Sequence, residues 1–312
     1  MLPTFIIAGE RRSGTTSLYS ALSVHPEIHF YPKSELNYFV EQELNGRQSF
    51  DGEPDAARWE ETHSIKEYSG LFGDGGGRSA VGHKGADLLF WKPAHRRMMR
   101  YAPDARILIT LRNPVSRAWS HYWNEVGKGR ETLEFDDALK QEQQRSAQSA
   151  FARFHLSYGA RGFYADSLHS FFEIVPKEQV LVVTLEESRG HRRDTLDRIY
   201  SFLGVNPELG LEGGEQRRNA NWTTVPRPWT RNPLVRPLAA AYTGLVHAIA
   251  TPLTRTKEQR HNLRRLLKTP VRRPASGILM PEETQIRLTE LYAPATEALE
   301  ELLGRSFNEW RS

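Results

Sequence analysis

Two short segments carry residues whose types and spacing suit work on phosphate or sulfate esters. The first, Gly9-Glu10-Arg11-Arg12-Ser13-Gly14-Thr15-Thr16-Ser17, places two glycines five apart ahead of three hydroxyl side chains. Glycine lets the backbone turn tightly and approach an anion with no Cβ in the way. The amides at the start of a following helix then point at that anion, and the helix dipole favours its charge. The pattern is half of a Walker A loop, with Thr15 where the lysine would stand. That lysine serves the β- and γ-phosphates, so its absence argues against ATP or GTP hydrolysis. Arg11 and Arg12 remain as the loop's own cations for phosphate or sulfate oxygens. The second segment is LRNPVSRAWSHY, Leu111 to Tyr122. Arg112 closes an apolar run, and Ser120 lies about two helical turns further on. An arginine fork and a hydroxyl can share one phosphate monoester. Arg117, between them, reads as a surface or core-edge ion-pair residue.

The elements around these segments alternate in type. Thr4 to Ala8 reads as a strand leading into the glycine loop, with a helix from Thr15 to His25 stopped by Pro26. Arg106 to Leu111 (RILITL) and Val180 to Leu185 (VLVVTL) are near-continuous apolar runs, as expected of strands covered on both faces. Pro114 suits the first position of a helix. Further helices are expected over Phe135–Ala152, Tyr164–Ile174, Asp194–Leu203 and Glu282–Leu303, the last two closed by Gly204 and Gly304. Buried strands alternating with helices mean an α/β fold. With the glycine loop after the first strand, we expect a P-loop-type three-layer fold whose central, mainly parallel sheet is flanked by helices. No composition break divides the chain, so residues 1–312 read as one domain, with a polar loop excursion over 41–78 and a helical insertion around 231–270.

Composition narrows the chemistry. The 312 residues contain no cysteine, which removes disulfides, thiolate metal sites and a cysteine nucleophile. Lys and Arg exceed Asp and Glu by 42 to 38, too small an excess to indicate nucleic acid. The histidines show no metal-ligand spacing, and no metal is expected. Phe5-Ile6-Ile7-Ala8 is too short for a signal peptide, and no stretch approaches the ~18 apolar residues of a membrane span. A cytoplasmic protein is the expectation, and the Arg- and Ala-rich composition hints at a bacterial source.

The two motifs, in this order and at this separation, resemble those of sulfotransferases that use 3′-phosphoadenosine 5′-phosphosulfate (PAPS). RRSGTTSLYSALSVHPEI resembles that family's 5′-phosphosulfate loop, and LRNPVSRAWSHY its 3′-phosphate motif. Weaker likeness runs on through RGFYADSLHSFFEIVPKEQVLVVTLEE to the C-terminal region, with the flavour of the bacterial and glycosaminoglycan-modifying branch. The resemblance implies transfer of a sulfuryl group to a hydroxyl or amine of a carbohydrate, lipid or natural product. It implies that residues Arg11 to Ser17 hold the 5′ side of PAPS, and Arg112 and Ser120 its 3′-phosphate. Relatives close that site with a basic loop near the C-terminus, for which Arg272 and Arg273 are the candidates. Arg12 stands where many relatives carry a lysine acting on the leaving group. An arginine is effectively never deprotonated, so its role there is an electrostatic clamp. Glu35, in YPKSELNYF, matches the family's base, and its apolar neighbours Leu36, Tyr38 and Phe39 are the kind that raise a carboxyl pKa toward neutrality. Lys84 matches a lysine that reaches the reacting centre, but here it sits in GHKGADLLF, which departs from the usual motif and leaves His83 as a rival base.

Two other classes compete. A P-loop kinase would want the Walker lysine and a strand-borne aspartate for Mg²⁺. A non-catalytic nucleotide or nucleic-acid binder would want a basic stripe interleaved with aromatics. Nucleic acid is not an expected partner. Pro237 to Leu253 forms an apolar stripe flanked by Arg231, Arg236, Arg255 and Lys257. It reads as a core helix, or else as a lid or interfacial helix in peripheral contact with a membrane.

Overall fold

The computed structural model describes residues 1–30, 38–40, 65–210, 224–226, 272–274 and 278–311, with residues 237–238, 241–242, 245–246, 263 and 267. Strand β1 (Phe5–Gly9) runs into helix α1 (Thr15–Leu22), followed by β2 (Ile28–Phe30), α2 (Ile65–Gly70) and β3 (Ala80–Gly85). Next come α3 (Pro93–Tyr101), β4 (Arg106–Leu111), α4 (Pro114–Lys128), α5 (Phe135–Lys140), α6 (Glu142–Gln148), α7 (Ala150–His155) and α8 (Tyr164–Phe172). Strand β5 (Val180–Thr184), α9 (Glu187–Gly190), α10 (Arg192–Leu203), the short pair β6 (Thr224–Pro226) and β7 (Arg272–Pro274), and α11 (Glu282–Leu303) complete the order.

The five strands form one parallel sheet in the order β2-β3-β1-β4-β5. Side chains alternate across it, which explains the unbroken apolar runs. From β1, Ile6 and Ala8 join Ile107, Ile109, Met98, Leu168 and Phe171 on one face. Phe5 and Ile7 join Leu18, Leu22, Leu108, Val183 and Ile199 on the other. Both faces of the central strands β1 and β4 are covered, so their runs are apolar whichever way a side chain points. The result is the expected three-layer α/β fold. In such sheets the ligand crevice lies at the carboxyl ends of the strands, which is where Gly9, Gly85 and Leu111 end.

Three local expectations change. Strand β3 was not foreseen, because AVGHKG has no apolar run; Gly82 is needed there since a Cβ would lie 2.2 Å from the Phe5 ring. The helix expected over Phe135–Ala152 is broken into three. The Glu142 carboxylate takes the Gly159 and Ala160 amides at 2.6 and 2.8 Å, and Ser149 leaves helical backbone to cap α7 by accepting from the Ala152 amide. The described end of the 41–78 excursion is not loop alone: α2 packs Tyr68, and Phe72 just beyond it, against the His83 ring.

Candidate active site

The glycine loop is built from left-handed backbone. Arg12 has φ 70° and Gly14 φ 95°. A Cβ on Gly14 would lie 2.7 Å from Leu185 Cδ1, so the position admits only glycine without strain. The Ser13 amide donates to the Glu10 carbonyl at 3.1 Å, closing the turn. Gly14 caps α1 with no side-chain hydrogen bond, so the first-turn amides are left for another acceptor. Left-handed turns that lead into an uncapped helix form a concave row of N–H donors fitted to an anion. The loop therefore fits a phosphate or sulfate group by its own backbone, with Ser13 and Thr15 buried beneath it and Ser17 exposed on α1.

Cations converge on this cradle from neighbouring strands. Lys84 pairs in register with Ile7 across the β1–β3 ladder. It is only 3% exposed, and its ammonium donates to Thr16 Oγ1 at 2.8 Å. From the other side, β4 delivers Arg112, whose Nη1 donates to the Arg12 carbonyl at 3.3 Å. Arg12 Nε donates to Ser120 Oγ at 3.0 Å. Burial lowers the Arg112 pKa to about 10, opposed by Glu186, so it keeps its charge at neutral pH. Arg12, Arg112 and Ser120, spread over 108 positions of sequence, thus form one cluster beside the loop. The backbone of β7, carrying Arg272 and Arg273, pairs with β6, and β6 lies against α4, the helix of Ser120.

Arg11 has a different role from the one expected of it. Its guanidinium forks onto Asp87, with Nε to Oδ1 at 2.7 Å and Nη2 to Oδ2 at 3.1 Å, and it lies 4.3 Å over the Phe154 ring. Arg161 reaches the same carboxylate at 2.8 Å and Glu10 at 2.9 Å. Desolvation would raise the Asp87 pKa, but the two guanidinium groups outweigh it and hold it below the usual value. Glu10 shows the opposite balance: burial dominates and pushes it up to about 7 despite Arg161. This buried ionic scaffold was missed in the sequence. Its one signal was Glu10, a charged residue directly after an apolar strand. Arg117 belongs to it too, fully buried and donating to the Tyr158 carbonyl, which corrects the surface or core-edge reading.

His83 is not a rival base. Its ring lies in a core of Phe39, Tyr68 and Phe72, and desolvation lowers its pKa to about 3. A β-strand alternates its side chains, so the neighbour Lys84 faces the loop while His83 faces the core. Glu35 lies outside the described residues.

A model of the Sulfotransferase family matches residues 3–208. Human bifunctional heparan sulfate N-deacetylase/N-sulfotransferase 2 is 26% identical over an alignment covering 69% of this chain and 25% of that protein. Rat carbohydrate sulfotransferase 15 is 23% identical, over 76% of this chain and 49% of that protein. The chain thus spans about a quarter and about half of these relatives. A solved sulfotransferase from Alicyclobacillus acidocaldarius superposes with a TM-score of 0.70 at 26% identity, covering all of both chains. The matched span holds the loop, Lys84, Arg112 and Ser120, and on that match the chain belongs to the sulfotransferase family.

Proposed function

We propose that the protein transfers the sulfuryl group of PAPS to a hydroxyl or amine of a carbohydrate. The observation that carries this is the convergence of Arg12, Arg112 and Ser120 beside an uncapped helix N-terminus that Lys84 overlooks. PAPS has two phosphate-type anions, a 5′-phosphosulfate and a 3′-phosphate, and cations reach the loop from the two strands that flank β1, Lys84 from β3 and Arg112 from the end of β4. The loop amides hold the 5′ group. Arg112 and Ser120 hold the 3′ group, and the family resemblance adds Arg272 and Arg273 to that subsite. A nucleoside triphosphate would instead need the lysine that Thr15 replaces.

Sulfuryl transfer shares the in-line demands of phosphoryl transfer, so positioning and charge stabilisation supply most of the catalysis. Glu35 takes the acceptor proton as the acceptor oxygen or nitrogen bonds to sulfur. Lys84 steadies the sulfuryl oxygens. Arg12 stabilises the phosphate oxygen that departs with the electron pair of the broken S–O bond. The names of the relatives point to glycans as acceptors, and this supports the carbohydrate reading. The test is calorimetry with 3′-phosphoadenosine 5′-phosphate (PAP) against ATP, followed by transfer of radiolabelled sulfate from PAPS to a glycan panel. Tighter binding of ATP than of PAP refutes the donor; labelling of lipids or phenols but no glycan refutes the acceptor.

A further inference from the structure

Arg12 is a long side chain on a loop, and its work needs the guanidinium group in one place. The loop fixes only the backbone, with φ 70° at Arg12 and an Arg112 hydrogen bond to its carbonyl. The side chain is held from α4. Arg12 Nε donates to Ser120 Oγ at 3.0 Å, and Nη1 donates to Asn124 Oδ1 at 3.5 Å. Ser120 and Asn124 are four residues apart and so share one face of the helix. Asn124 is half-buried in the interior of α4, where asparagine is a poorer helix former than alanine. Its amide is engaged at both ends, since Nδ2 donates to Glu125 Oε1 at 2.7 Å. Glu125 is fully buried and also takes Lys128 Nζ at 3.2 Å and Arg130 Nη1 at 3.3 Å. Side chains at adjacent helix positions ordinarily diverge, so this contact requires the two to lean together. Chemistry then permits one orientation of the amide. A guanidinium group only donates and a carboxylate only accepts, so the oxygen must face Arg12 and the nitrogen Glu125.

We infer that Asn124 is a positioning residue for sulfuryl transfer: it holds the Arg12 guanidinium group for the departing phosphate oxygen, and Glu125 fixes its amide in the one orientation that can do so. The inference rests on the PAPS reading above and adds two residues to it. As the S–O bond breaks, its electron pair stays on the phosphate oxygen, where negative charge grows. A cation stabilises that charge most when it is aimed there beforehand. A free arginine would lose rotamer freedom on meeting the ligand, and the two acceptors on α4 remove that loss in advance. The neutral amide also suits the position electrostatically. A carboxylate at 124 would compete with the ligand for Arg12 and repel Glu125, whereas a cation would repel Arg12. Through the amide, the Glu125 charge supports Arg12 without touching it: burial lowers the Arg12 pKa and Glu125 opposes the shift.

The test is a double-mutant cycle on the full chain, with PAP as the probe and calorimetry as the readout. Asn124→Ala raises the PAP dissociation constant about fivefold, the worth of one hydrogen bond that orients a charged group. In an Arg12→Met background the same substitution changes it by less than about twofold, because the group being positioned is already gone. A packing role for Asn124 would instead cost the same in both backgrounds. The denaturation midpoint of Asn124→Ala stays at the wild-type value, since alanine favours the helix and Glu125 keeps Lys128 and Arg130. Asn124→Asp, nearly the same in shape, binds PAP more weakly than Asn124→Ala because it sets a carboxylate between Arg12 and Glu125. Equal losses in the two backgrounds overturn the proposal. So does unchanged PAP affinity in Asn124→Ala, or wild-type affinity in Asn124→Asp. Failure of the PAPS reading looks different: the wild type then binds PAP no more tightly than AMP before any variant is compared, and the proposal falls with it.

Discussion

Arg11 and Arg12 are neighbours in sequence, and the structure predicts that replacing each by methionine gives opposite phenotypes. Arg11 is engaged beneath the loop: two hydrogen bonds to Asp87, a carboxylate 1% exposed, and a ring contact with Phe154. Removing one partner of a buried pair costs about 3–5 kcal/mol. Arg161 still compensates Asp87 after Arg11 is gone, so the lower end, about 3 kcal/mol, applies. In a chain of this size that lowers the melting temperature by roughly 6 °C. Arg12 instead faces the 3′-phosphate motif, its Nε donating to Ser120 Oγ at 3.0 Å and its Nη1 to Asn124 Oδ1 at 3.5 Å. Its loss leaves stability within about 1 kcal/mol but removes a charge-assisted contact to the nucleotide, worth about 1.5–3 kcal/mol, or roughly 10- to 150-fold in PAP affinity. Denaturant unfolding and PAP calorimetry on both variants read the two axes separately. An Arg11→Met protein of normal stability with lost PAP affinity would refute the structural role argued for Arg11.

Other outcomes follow from the same geometry. Arg112→Ala and Ser120→Ala each weaken PAP while sparing adenosine 5′-phosphosulfate, which lacks the 3′-phosphate; equal losses for both ligands remove these residues from that subsite. Glu10 has its pKa raised from 4.5 to about 7, so the folded state binds its proton more tightly than the unfolded chain. Its contribution to stability is therefore greatest below pH 4.5 and is lost as pH rises to about 7. Glu10→Gln should flatten that fall in denaturation midpoint between pH 5 and 7, and parallel wild-type and variant profiles would contradict it. Glu35→Gln should abolish sulfate transfer with PAP affinity intact, and near wild-type turnover would place the proton elsewhere.

The sequence by itself determined the frame. The apolar runs at Phe5–Ala8, Arg106–Leu111 and Val180–Leu185 read as strands, fully covered in β1 and β4 and half-buried at the edge strand β5, and Gly204 and Gly304 end their helices in left-handed backbone as glycine allows. The two anion-binding motifs were legible too, because a backbone cradle needs glycines at fixed local spacing. What local pattern could not carry was pairing across distance. Strand β3 exists because β1 and β2 border it on either side, although its own residues show no strand signature. Of the adjacent basic residues Arg11 and Arg12, and of the pair His83 and Lys84, one turns toward the site and the other into the interior. That division depends on which partners the fold supplies: Asp87 and Arg161 below the loop, Ser120 beside it, Thr16 above Lys84, and a shell of aromatic rings around His83. Desolvation is settled only when the chain packs. Tertiary structure therefore decided which charges are buried as scaffold and which stay available to a ligand.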